Sequence, residues 1–94
     1  MWNSIKNYII SVLETVKTNL DQESIDSVKH YLDHEEYEMA FEGLFIEIMK
    51  LNSRPNIDFI EGRKFGKLLK LDEESVFDFN FWRQFENYCL ANNN

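Results

Sequence analysis

His30, His34 and Glu38 stand at i, i+4 and i+8, the spacing that lines three metal-type ligands along one continuous helix. Asp33-His34 reads as a break between two helices, however, and no conspicuous fourth ligand exists. Surface histidines beside a helix end account for the same residues, so no metal and no other cofactor is expected. Cys89 is the single cysteine, and both histidines lie about 55 or more residues upstream of it. Its neighbours are core-facing aromatics, which predicts a buried structural thiol rather than a nucleophile. Gly62-Arg63-Lys64-Phe65-Gly66-Lys67-Leu68 superficially resembles a phosphate loop. It has one residue too few between the glycines, and Leu68 stands where Ser or Thr would hold magnesium. Neighbouring carboxylates such as Glu35/Glu36 and Glu73/Glu74 are abundant, but adjacency creates no division between acid and base. With no catalytic constellation, an enzyme is not expected.

Charge carries more information. Residues 21–47 hold nine carboxylates (Asp21, Glu23, Asp26, Asp33, Glu35, Glu36, Glu38, Glu42 and Glu47) against one base, Lys29. That segment is −8, while the whole chain is −7. Residues 50–70 reverse the sign to +4, and the remainder from 71 returns to −4. Such a field steers encounter with a basic partner. It repels phosphate backbones and anionic lipid heads, so neither nucleic acid nor membrane is an expected direct ligand. Arg63, Lys64, Lys67 and Lys70 form a basic flank without an aromatic stacking set. Pairing with the protein's own acidic helices, or solvation, accounts for them. The early apolar run Tyr8–Leu13 is too short and interrupted to span a bilayer or to read as a signal peptide. A lone cysteine fits a reducing compartment.

The elements that must position these groups are helices. The 94 residues suit one domain over 1–94, with apolar and aromatic shares of 44% and 15% supporting a core. One proline and three glycines leave too few turns for a β-sandwich. Apolar residues recurring at steps of three and four predict helices over about 3–19, 22–33, 35–51, 56–70 and 79–91. Asp21 is the expected N-cap of the second helix and Asp78 that of the last. Asp33 and Glu36 have capping-box spacing ahead of the third. Pro55 stops the third helix. Gly62 and Gly66 weaken the fourth by about 1 kcal/mol each relative to alanine. Residues 71–77 connect, and 92–94 should fray. The expected architecture is all-α: a compact bundle of four to five helices.

On the third helix, Tyr37, Ala40, Phe41, Leu44, Phe45, Ile48 and Leu51 fill the core face. Opposite them, Glu35, Glu38 and Glu42 align with Met39, Ile46 and Met49. Carboxylates orient an encounter and flexible apolar groups supply buried area, as a protein-binding surface requires. Coverage of Met39, Ile46 and Met49 by another helix is the competing account. Phe77, Phe79, Phe81 and Trp82 are dense enough for a hydrophobic dock, although core packing of the last helix explains them too.

The run Tyr31-Leu32-Asp33-His34-Glu35-Glu36-Tyr37-Glu38-Met39-Ala40-Phe41-Glu42-Gly43-Leu44 resembles the centre of small helical bacterial immunity proteins. These are the MafI-type family and related immunity proteins of contact-dependent growth inhibition systems. Asp72-Glu73-Glu74-Ser75-Val76-Phe77-Asp78, followed by Phe81-Trp82 and Phe85, is similar to the end of such sequences, so the resemblance covers residues 28–88. It implies a cytoplasmic protein that binds the C-terminal effector domain of a cognate toxin and neutralises it. Such effectors are often nucleases with basic grooves, which an acidic surface could occlude without catalysis. Helical geometry and charge, not the family, nominate Asp33, Glu35, Glu38, Met39 and Glu42 as the contact patch. A helical adaptor or regulatory subunit, docking through Met39, Ile46, Met49 and Phe77–Trp82, is the alternative.

Overall fold

Ile5, Ile9, Val12, Leu13 and Val16 recur at helical spacing and are buried as one stripe of α1 (Trp2–Val16). The computed structural model describes residues 2–91, so the expected fraying of 92–94 lies outside the described residues. A short 3₁₀ turn, Lys17–Asn19, finishes the first helix and replaces the expected α-helical run to residue 19. Asp21 then caps α2 (Gln22–Asp33), its carboxylate accepting the Ser24 N–H at 2.8 Å. That hydrogen bond holds the Asp21 carboxyl below the usual carboxylate range. Start, stop and cap of this helix match the sequence reading.

The junction to α3 (Tyr37–Met49) differs from it. No capping box forms, and the Glu36 side chain makes no cap bond. Residues 33–36 instead close the C-terminus of α2 as a Schellman motif. The Glu36 N–H donates to the Tyr31 carbonyl at 2.8 Å and the Glu35 N–H to the Leu32 carbonyl at 3.1 Å. Glu35 takes the left-handed conformation this motif needs, φ 57°. Two residues are therefore spent on ending α2 before α3 can start.

The same device ends α4 (Phe59–Leu68), shorter than the expected 56–70. The Leu71 N–H donates to the Gly66 carbonyl at 3.0 Å and the Lys70 N–H to the Lys67 carbonyl at 2.9 Å, with Lys70 at φ 62°. Asp58 sets the start by accepting the Glu61 N–H at 2.9 Å. For side chains other than glycine, left-handed φ costs about 1–2 kcal/mol, whereas glycine surrenders more unfolded-state freedom. Glu35→Gly and Lys70→Gly should therefore each raise stability by up to about 1 kcal/mol, or roughly 4–8 °C in a thermal melt. A fall in Tm would show that the side chain itself holds the corner.

The last helix, α5 (Phe81–Ala91), begins two residues later than expected. Asp78 does not serve directly as its cap: its carboxylate accepts the Asn80 N–H at 2.9 Å in a turn just ahead of the helix. The five helices make an all-α bundle, 71% helical and without strands among the described residues. Its extents are 34 × 29 × 23 Å. The central α3 packs against α1, α2 and α5, while α4 packs against α5. Phe41, Phe45, Phe81 and Phe85 are fully buried where α3 meets α5.

Two glycines that weaken α4 locally are required by its packing. A Cβ on Gly66 would lie 2.6 Å from the Trp82 ring, and one on Gly62 would lie 2.6 Å from the Tyr8 hydroxyl. That hydroxyl donates to the Asp58 carbonyl at 2.8 Å, and burial pushes its pKa well up. Arg54 ties the α3–α4 connection to the end of α5. It donates to the Tyr88 carbonyl at 3.0 Å and lies 3.9 Å over the Phe59 ring. No helix among the described residues is long and apolar enough to cross a membrane.

Candidate functional site

Asp33, Glu35 and Glu38 are exposed at the α2–α3 corner, where the Schellman turn holds the backbone between them. None of the three side chains has an internal hydrogen bond or ion pair among the described residues. Met39 is only half-buried. Four of the five nominated residues thus keep at least partial access to solvent.

Glu42 is the exception and a correction. Its side chain is fully buried, and it faces no partner. One oxygen accepts the Val76 N–H at 2.7 Å, and the other accepts those of Phe77 and Asp78 at 2.8 and 2.9 Å. Three successive amides converging on one carboxylate form an anion-binding concavity made of backbone alone. The helical wheel placed Glu42 opposite the core correctly, but the connection from α4 to α5 crosses that face and covers it. A segment with no helix or sheet ladder still has to satisfy its N–H groups, and Glu42 serves that need. Glu42 is therefore a structural anchor and not a contact residue.

Trp2 belongs to the corner instead. Its periodicity placed it with the core stripe of the first helix, yet it is 51% exposed. Its ring stacks on Tyr37 at 5.9 Å, and Trp2, Asn3, Glu35, Tyr37 and Glu38 line one open hollow of about 370 Å³. Tryptophan is among the residue types enriched at protein-binding hot spots.

The apolar side of the predicted patch is split. Ile46 and Met49 are partly buried and pack against the core. Phe81 is core and Trp82 is half-buried against α4, whereas Phe77 is exposed and Phe79 is 90% exposed. Tyr31 on α2 and Phe77 approach at 6.0 Å across a shallow hollow of about 240 Å³. That volume falls below the ~300–1,000 Å³ of small-molecule sites.

The basic flank is partly self-neutralised. Arg63 pairs with Glu86 of α5 at 2.9 Å, and Lys64 approaches Glu61 at 4.0 Å. Cys89 is buried, and burial pushes its thiol up to about 11. A nucleophilic or redox-active cysteine needs the opposite shift, so the structural reading of this thiol fits its surroundings. His30 and His34 are not separated by the helix break, because His34 is itself the C-cap of α2. The carboxylate that joins them is Glu36; Glu38 faces the hollow beside Trp2. Comparison of the chain with protein-family models, with curated proteins and with solved structures finds no match.

Proposed function

We propose that this protein is a small helical immunity protein that binds a basic effector domain of a cognate toxin through the α2–α3 corner. The observation that carries the reading is the set of exposed carboxylates Asp33, Glu35 and Glu38, unpaired among the described residues, with Trp2 beside Glu35 and Glu38. The resemblance of residues 28–88 to immunity proteins supports the word toxin, which charge and geometry do not address. Inhibition is by occlusion: the acidic corner covers a basic substrate groove, and Trp2 with Met39 contributes apolar contact. No catalytic step is involved, and the working compartment is the cytoplasm.

The test is co-expression with the toxin encoded beside it, followed by stopped-flow association at several salt concentrations. Asp33→Lys, Glu35→Lys and Glu38→Lys combined should slow association by about 10–1,000-fold and flatten its salt dependence. The circular dichroism spectrum should not change, because none of these side chains takes part in internal bonding among the described residues. Unchanged association by that variant would remove the corner from the mechanism.

A second reading, a helical adaptor subunit of a larger complex, is favoured by Phe79, Phe77 and Val76, which are exposed together on the α4–α5 connection. Dye binding and self-association that vanish in Phe77→Ser/Phe79→Ser would favour it. A dye-silent monomer would leave the corner as the sole docking surface.

A further inference from the structure

We propose that His30, His34 and Glu36 form a binding site for a divalent transition-metal ion of the zinc class. Each offers one ligand atom, and the three atoms lie within 4.8 Å of one another. The site stands apart from the toxin-binding reading: Asp33, Glu35, Glu38 and Trp2 are not among its ligands.

Local geometry brings these groups together. His30 and His34 are one α-helical turn apart, and the His34 N–H still donates to the His30 carbonyl at 3.2 Å, so the two rings share a face. Their ring centroids are 4.3 Å apart. The 6→1 bond from the Glu36 N–H to the Tyr31 carbonyl then folds the chain back over the last turn of α2. This reversal delivers the Glu36 carboxylate to the imidazoles, although simple helical spacing pointed to Glu38.

The protonation pattern of His34 also suits a ligand. Its Nδ1 lies 2.9 Å from the His30 carbonyl oxygen, which can only accept, so Nδ1 carries the proton. That leaves the Nε2 lone pair for a metal, oriented by the hydrogen bond that metal-ligating histidines commonly make through their other nitrogen. His30 and His34 are exposed and Glu36 is half-exposed, so their rotamers can draw in toward bonds of about 2.0–2.1 Å. Two imidazoles with one carboxylate select zinc, nickel or copper over magnesium or calcium, which prefer all-oxygen sets. Three protein ligands leave a coordination position for water or for a donor from outside the chain.

The experiment is calorimetric titration of the untagged protein with zinc sulfate, and separately with magnesium chloride, at pH 7.5. One zinc ion per chain should bind in the micromolar range, and magnesium should give no heat. His30→Gln and His34→Gln should each weaken zinc binding by at least about tenfold, and Glu36→Gln by a smaller factor. Glu38→Gln should leave it unchanged. Both histidines are exposed, and circular dichroism of the variants checks that α2 persists. Absence of zinc uptake, or uptake indifferent to both histidine substitutions, overturns the assignment.

Discussion

Glu42→Ala should destabilise the protein by about 3–5 kcal/mol, because it strips three amides of a shared buried charge. A domain of this size has a total stability of about 5–15 kcal/mol, so the variant should be substantially unfolded at physiological temperature. The Val76, Phe77 and Asp78 N–H groups, which now lie 2.7–2.9 Å from carboxylate oxygens, would have only water or nothing to donate to. Glu42→Gln is the sharper variant. It keeps the shape but replaces one acceptor oxygen with an NH₂ that faces a donor, and should cost about 2 kcal/mol. Urea titration gives the loss, and amide exchange at residues 76–78 should accelerate ahead of that in α1 and α3. A cost below about 1 kcal/mol for Glu42→Ala would mean that water replaces the carboxylate easily.

Phe85→Ala should cost a comparable amount, about 3–5 kcal/mol from lost transfer and the cavity left behind. The ring is fully buried and sits 4.8 Å from Phe45, 5.6 Å from Phe41, 5.4 Å from Phe81 and 5.3 Å from Trp82. Each aromatic pair adds about 0.5–1.5 kcal/mol beyond buried area, which places this position at the upper end of the range. Phe85→Leu should recover more than half of the loss, since it refills most of the volume. The urea midpoint should fall at an unchanged m-value. A changed m-value would show that α5 detaches as a unit rather than repacking.

The contrast between these two residues marks where sequence reading works. Phe85 was legible as core from periodicity, because the burial of one helix face depends on residues three and four positions apart. The bounds of α2 were legible for the same reason: the Asp21 cap and its Ser24 partner are three residues apart. Glu42 was not, because its partners lie 34 to 36 positions away in a segment with no periodicity of its own. A helical wheel identifies the face opposite the core but cannot say which connection crosses it. The capping box failed through competition. Asp33 and Glu36 have the right spacing for an N-terminus, but the backbone there is already committed to closing the helix before it. Gly62 and Gly66 read locally as weaknesses, and only the Tyr8 and Trp82 rings explain why alanine does not stand there. At the candidate site, the exposure of Asp33, Glu35 and Glu38 was legible from charge and helical geometry, whereas that of Trp2 was masked by its match to the stripe of α1.

Among the described residues the side chains of Asp33, Glu35 and Glu38 make no internal hydrogen bond or ion pair, while the turn beneath them is held by backbone hydrogen bonds. Heritable variation can therefore act on the two properties separately. A descendant could exchange all three carboxylates, and with them the charge of that corner, at almost no cost in folding. Glu42, two residues after Ala40 in the same charged run, has no such liberty. The exposed corner is free to drift, and the frame that presents it is not.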